Sequence, residues 1–318
     1  MVLAAELFVQ GLQMLLVLAL APLLTGVVRK IKSALMRRRG PSVIQPYRDL
    51  YRLMRKETVL AENASWVFRA APYLIFAATW VAAALTPTFR SGLLFSWSAD
   101  LIVIVALLAS ARFFLALAGL DVGAAFGGIG SSREMMIASF AEPAMLLAFF
   151  TIALVAGSTQ LSTVATFMVS EDVGLRVSLA LALFALSMVA IAENARIPID
   201  NPATHLELTM VHEAMVLEYS GRHLAMIEFA SFLKLLLYVS LIGAVFAPWG
   251  LARDDSGISS NLFGLAAYLG KLALSAALLA LFESTTAKMR VFRVPDFLGA
   301  ALMLGFLGAL LLFAGGRF

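Results

Sequence analysis

ADLIVIVALLASARFFLALAGL, residues 99–120, decides the fold. Beyond Asp100 at its start, its one charged side chain is Arg112. As a helix rising about 1.5 Å per residue, a stretch of this length crosses the roughly 30 Å hydrocarbon layer of a membrane. A barrel strand would be about half as long and would alternate apolar with polar residues, which this stretch does not. Working outward, comparable apolar runs recur at about 7–28, 68–88, 135–157, 175–194, 222–248, 262–282 and 295–315. The expected fold is all-α: a polytopic transmembrane helical bundle of about eight spans, forming a single integral membrane domain over residues 1–318. Composition agrees, with 61% hydrophobic and only 14% charged residues, where soluble domains run near one-half and one-quarter.

Cysteine is absent, so this chain can build no thiolate-ligated iron–sulfur cluster, zinc–thiolate site or disulfide, and any such centre belongs to a partner. The first apolar run lacks the basic flank and small-residue cleavage site of a signal peptide and is expected to stay as a helix.

The net charge of +4 hides a strong asymmetry, because ten Lys and Arg residues fall between Arg29 and Lys56, directly after the first span. By the positive-inside rule that loop is cytoplasmic, and alternation then puts Arg133, Arg196, Arg222, Lys288, Arg290 and Arg293 on the same side. Arg90, Arg253 and Arg317 fall outside, as do both termini. Within RKIKSALMRRRGPSVIQPYRDLYRLMRKE (29–57), Tyr47, Leu50, Tyr51 and Met54 recur at helical spacing opposite Arg48, Arg52 and Arg55. This predicts an amphipathic helix lying on the cytoplasmic surface, against lipid headgroups or a docked protein. A basic patch in such a chain does not point to nucleic acid.

Charge inside a spanning helix is costly, roughly 2.5–3.5 kcal/mol on insertion scales, so each instance is a functional candidate. Arg112 in the third span and Glu142 in the fourth lie at a similar depth, roughly 10–12 Å from the cytoplasmic end, and are placed to form a charge pair. Glu228 falls at comparable depth on the sixth span. Lys234 and Lys271 fall near mid-membrane, and Glu193 and Glu283 lie near cytoplasmic helix ends. Together these groups form a ladder of titratable side chains suited to proton transfer, or else fix helix register by static pairing.

Between the fifth and sixth spans lies AENARIPIDNPATHLELTMVHEAMVLEYSG (192–221), which gathers Glu193, Asp200, Glu207, Glu213 and Glu218, with His205, His212 and, just beyond, His223. Interrupted backbone at membrane depth is tolerated where it is buried in protein or lines a wet cavity, so a polar cavity opening to the cytoplasm is expected here. His212-Glu213 lacks the second histidine one turn on that a helical zinc protease site requires. Neither a strained serine elbow nor a dinucleotide fingerprint occurs. Proton binding, quinone binding and contact with a redox partner remain.

Five segments in order carry a resemblance: RRRGPSVIQPYRDLYRLMRKE (37–57), GSSREMMIASFAEP (130–143), AENARIPID (192–200), LEYSG (217–221) and the basic stretch ending in RVP (293–295). With them the chain resembles, over nearly all its length, the membrane subunit that anchors the soluble arm of respiratory complex I, and its counterparts in group 4 energy-converting hydrogenases and formate hydrogenlyases. The quinone-reducing branch has a run of alternating carboxylates after a proline. Here NPATHLELTMVHEAM (201–215) stands instead, with two extra residues before Tyr219, and it looks like the hydrogenase-4 and formate hydrogenlyase type.

The resemblance implies a non-catalytic subunit of an oxidoreductase complex that docks the electron-input arm and couples electron transfer to proton movement. Glu142, Glu193, Asp200 and Glu218 match the family's carboxylates, Glu207 and Glu213 share their loop, and Glu228, Lys234, Lys271 and Glu283 extend the path by depth. Arg37, Arg38, Arg39, Arg48, Arg52 and Arg196 are the expected docking residues. No cofactor is expected on this chain. The nickel–iron centre and iron–sulfur clusters would sit on hydrogenase large and small subunits, beside antiporter-like membrane partners. The alternatives are a quinone-site subunit of an NADH:quinone oxidoreductase-like complex, or an independent ion-coupled transporter, against which the missing inverted repeat counts.

Overall fold

The computed structural model describes residues 2–170, 176–200, 210–252, 258–290 and 293–314. Among the described residues there are helices and no strand. Seven helices are long and apolar enough to cross a membrane: α1 (Val2–Leu35), α3 (Trp66–Leu85), α4 (Leu101–Asp121), α5 (Ala125–Ala156), α9 (Gly221–Phe246), α10 (Ile258–Thr285) and α11 (Val294–Ala314). The expected span at 175–194 is α7 (Val177–Glu193), an apolar helix of 17 residues. At about 25 Å it is shorter than the hydrocarbon layer. Two short helices, α6 (Leu161–Ser170) and α8 (His212–Val216), lie in connecting segments, and α2 (Gln45–Met54) is the expected surface helix.

Two clusters of loop contacts define the ends of the bundle. At one, Leu101 N–H donates to Thr159 (3.0 Å), Leu161 N–H to Ala99 (2.9 Å) and Ala252 N–H to Phe89 (2.9 Å). The Asp100 carboxylate there caps α4 by accepting from Ile102 N–H at 2.7 Å. At the other, Ser65 N–H donates to the Asp121 carboxylate at 2.8 Å, Met289 N–H to Pro198 at 2.8 Å and the Arg133 guanidinium to the Met210 carbonyl at 2.7 Å. This second end carries the Arg/Lys-rich segment and is the basic face.

Two helices outrun their apolar runs. Polarity ends a hydropathy reading at residue 28, but nothing breaks a helix before Gly40-Pro41, so α1 continues through Arg29, Lys30 and Lys32. Cations suit the carbonyl-rich end of a helix. Likewise GGIGSSRE (127–134) is helical, as the first turns of α5. It is held because α4 and α5 nearly touch: a β-carbon at Gly127 would fall 2.1 Å from the Gly119 carbonyl oxygen. The core threads the bundle through Leu108, Met145, Ile152, Leu186, Leu233 and Tyr238, while α10 and α11 are the least buried spans.

In α2 the buried edge is Pro46 and Leu50, with Leu53 packed on the core and the Tyr47 hydroxyl donating to the Ala19 carbonyl of α1. Tyr51 and Met54, expected on the same apolar face, are instead exposed, and Arg55 stacks on the Tyr51 ring at 4.4 Å. A ten-residue helix turns too little of its surface to the bundle to cover both.

Candidate functional site: a buried charge network beside a polar chamber

Arg112 enters the bundle from α4 with its side chain 3% exposed. Each guanidinium nitrogen meets a different carboxylate: Nε lies 3.7 Å from Glu134, Nη1 2.8 Å from Glu142 and Nη2 2.5 Å from Glu193. Glu134 and Glu142 come from α5 and Glu193 from the last turn of α7. The other Glu193 oxygen lies 3.6 Å from Lys234 Nζ on α9. Four helices are thus tied at one point. Only the Glu142 contact is a hydrogen bond, but a guanidinium spreads its charge over three nitrogens and so lies beside three separate carboxylates, whereas an ammonium's charge sits on one nitrogen. The cluster holds three carboxylates and two cations, so it is electrically neutral only when it carries one proton.

Next to it lies a chamber of about 460 Å³ between α1, α2, α9 and residues 194–200 and 212–216. Arg29, Lys32, Asp49, Arg52, Arg196, Asp200, Glu213, Glu228 and Glu283 all line it. Its rim is ion-paired: Glu283 takes Lys32 at 2.8 Å and Arg196 at 3.3 Å, and Asp200 takes Lys288 at 3.1 Å. Asp200 also accepts from Val211 N–H at 3.3 Å, pinning the start of α8.

A second cavity of about 30 Å³ is lined by Arg112, Glu134, Lys234 and His212. His212, Ile227 and Ser231 line both cavities, and about 30 Å³ is the share of one liquid water. Burial, followed by the nearby Lys234 charge, pushes the His212 imidazole down to about 4. A neutral imidazole accepts at one nitrogen and donates at the other, and His212 stands between chamber and network.

The sequence-predicted residues divide accordingly. Glu142, Glu193 and Lys234 meet at Arg112, while Asp200, Glu213, Glu228 and Glu283 face the chamber. Glu207, with His205, lies outside the described residues. Glu218 is exposed and lines neither cavity, because its LEYSG segment is an architectural fastening. Tyr219 stacks on Phe68 at 3.9 Å and donates to its carbonyl at 3.0 Å, and Ser220 Oγ accepts from Val59 N–H at 2.8 Å. Gly221 has φ +54°, and a β-carbon there would lie 2.4 Å from the Glu57 carbonyl oxygen. Lys271 joins no ion pair among the described residues.

Arg37, Arg38, Arg39 and Arg48 are exposed on the basic face. Arg52 pairs with Asp49 at 3.2 Å. Arg196, expected as a docking residue, is instead turned inward onto Glu283. Sequence reasoning missed Glu134, and it weighed His212 only as a zinc ligand. Glu134 stood outside the expected span, although its place eight residues before Glu142, about two turns, was a usable signal. His223 packs edge-on against Tyr73 and Tyr219.

The NADH dehydrogenase family model matches residues 9–314. The chain belongs to this family. Among curated members it is 33% identical to formate hydrogenlyase subunit 4 of Escherichia coli over 95% of this chain and 97% of that one. It is 34% identical to hydrogenase-4 component C of the same organism, over 87% of each. To NADH-quinone oxidoreductase subunit 8 of Rhodothermus marinus it is 26% identical, over 80% of this chain and 79% of the relative. A chain in the solved structure of an archaeal respiratory complex, the membrane-bound sulfane sulfur reductase, shares the fold at a TM-score of 0.79. That match has 20% identity and covers 95% of this family member and 99% of the other chain.

Proposed function

We propose that this chain is the membrane subunit of a group 4 hydrogenase complex of the formate hydrogenlyase kind, docking a soluble redox arm and coupling electron transfer to proton movement. The observation that carries the reading is the Arg112 network: three carboxylates against two cations, with His212 between it and a charged chamber. Relatives more than 30% identical to it include components of formate hydrogenlyase and hydrogenase-4, which favours the hydrogenase branch.

On this reading the basic face is cytoplasmic, both termini lie outside, and Arg37, Arg38, Arg39 and Arg48 with the exposed ring of Tyr51 receive the arm. The nickel–iron centre and iron–sulfur clusters belong to the hydrogenase large and small subunits. This chain contributes none, having no cysteine. Antiporter-like membrane subunits take up the proton's further path. The chamber gathers water and protons around Asp200, Glu213 and Glu228, His212 passes a proton across the wall it forms, and the network accepts one because its charges otherwise do not cancel. A charge redistribution above the chamber shifts the network's proton affinity through Coulomb coupling in a low-dielectric interior.

The quinone alternative draws on the NADH-quinone oxidoreductase relatives and on the apolar patches Val28, Leu53 and Phe232 in the chamber wall. Mild-detergent purification of the chain from its native membranes, with mass spectrometry of co-purifying subunits and assays for nickel, hydrogen and quinone, separates the two. A nickel-bearing large subunit with hydrogen activity is the expected result. A nickel-free partner set with bound quinone would replace the proposal by the alternative.

A further inference from the structure

The Arg112 network is neutral with one proton, and its geometry distinguishes the three carboxylates that could carry it. Glu193 lies against two cations, 2.5 Å from Arg112 Nη2 and 3.6 Å from Lys234 Nζ. Glu142 accepts a hydrogen bond from Arg112 Nη1 at 2.8 Å. Both kinds of contact favour an ionised carboxylate. Glu134 is less well served: it stands 3.7 Å from Arg112 Nε, beyond hydrogen-bond reach, and among the described residues its carboxylate accepts no hydrogen bond. A buried charge with so little compensation is costly, and a proton removes the cost.

Glu134 is also where a proton can arrive. Of the three carboxylates it alone lines the cavity of about 30 Å³ that has His212 in its wall, together with Arg112, Ser231 and Lys234. That volume exceeds the roughly 10–15 Å³ that a water needs, and the wall offers the water several polar partners. Glu134 lies eight residues before Glu142 on α5, about 12 Å nearer the basic face along the helix axis. The charges around it are Arg112 on α4, Lys234 on α9, Glu193 on α7 and Asp200. Glu193 is taken by the two cations, and Asp200 is held by Lys288 at 3.1 Å.

We infer that Glu134 is the proton-carrying member of the network and receives its proton from His212 through a single water. A hydronium in the chamber protonates one imidazole nitrogen. The N–H at the other nitrogen breaks, its proton passes to the cavity water, and that water forms the O–H bond at Glu134 with one of its own hydrogens. His212 ends neutral as its other tautomer, and the water is regenerated. The inference rests on the proposed proton coupling but not on which electron acceptor the complex uses.

The test uses the purified complex at neutral pH, with infrared spectra in H2O and D2O that read the C=O stretch of a carboxylic acid, a band that moves on deuteration. Aspartate variants keep the number of carboxylates, so the network still needs its proton, while the carboxyl is displaced by one methylene. Glu134→Asp is expected to move one such band, and Glu142→Asp and Glu193→Asp to leave it in place. Glu134→Gln should remove the band and unfold close to the wild-type temperature, since a neutral amide replaces a neutral acid. A band that stays unmoved in Glu134→Asp, or persists in Glu134→Gln, overturns the proposal. If Glu142→Asp or Glu193→Asp moves the band instead, the proton-coupling reading stands with another carrier; if no variant alters any band, that reading falls with the proposal. On transfer to D2O, His212→Gln is expected to slow the deuteration shift of the band several-fold, and an unchanged rate overturns the step through His212. Nickel and hydrogen assays on the same material report separately on the hydrogenase reading.

Discussion

Replacing Arg112 by alanine removes a cation that three carboxylates share. The Glu134 and Glu193 side chains are 10% and 1% exposed, so those contacts are interior, whereas Glu142 is 35% exposed. Deleting one partner of a buried pair costs about 3–5 kcal/mol, because the remaining charge is stranded. Lys234, 3.6 Å from Glu193, stays in place and compensates part of what is left, so the terms do not simply add. The expected loss for Arg112→Ala is therefore about 3–5 kcal/mol, or about two to four powers of ten in the folding equilibrium. Arg112→Lys keeps the charge but offers one point where the fork offered three, and should fall between. Glu142→Gln leaves Arg112 a neutral acceptor of the same shape and should cost less than Arg112→Ala, while lowering the proton yield per hydrogen formed, since the amide cannot titrate. The assays are thermal unfolding of the purified complex followed by tryptophan fluorescence, and proton release from sealed vesicles. Unfolding of Arg112→Ala at the wild-type temperature would refute the reasoning, as would a Glu142→Gln variant as unstable as Arg112→Ala.

Two further outcomes follow from the same geometry. His212, depressed to about 4 from an ordinary 6.5, binds its proton in the unfolded chain before the folded one. Its contribution to stability is complete above about pH 6.5 and is lost as pH falls toward 4. His212→Gln should flatten that part of the melting-temperature profile, and an unaltered profile would show that the imidazole does not stay neutral there. Gly221→Ala forces a β-carbon onto the Glu57 carbonyl at positive φ, so a loss of more than about 1 kcal/mol is expected, read as faster proteolysis within residues 56–64. Protection equal to wild type would count against the fastening role of Tyr219, Ser220 and Gly221.

Hydropathy alone located every long helix among the described residues, because burial of about 20 apolar residues in lipid leaves the backbone no choice but to satisfy itself internally. It misjudged the ends where a helix leaves lipid without leaving the protein. The apolar run of the fourth span begins at about 135, yet α5 starts at Ala125, where Gly127 lies against α4 and Glu134 is held by Arg112. The Arg112–Glu142 pairing was open to sequence reasoning because both residues sit at equal depth on adjacent spans. Depth carries no information about azimuth, however, and Lys271 joins no ion pair among the described residues.

Composition and apolar run length by themselves determined that this is a helical membrane protein without thiolate-ligated centres, because the energy of exposing backbone and charge to hydrocarbon is large and depends on residue type alone. Which charges meet was decided only by tertiary structure. A side chain's partner depends on how each helix is rotated and how its neighbours approach, and those are set by packing across the bundle. That packing brought Glu193 and Glu134 to Arg112, turned Arg196 inward onto Glu283 and put Glu218 at the surface.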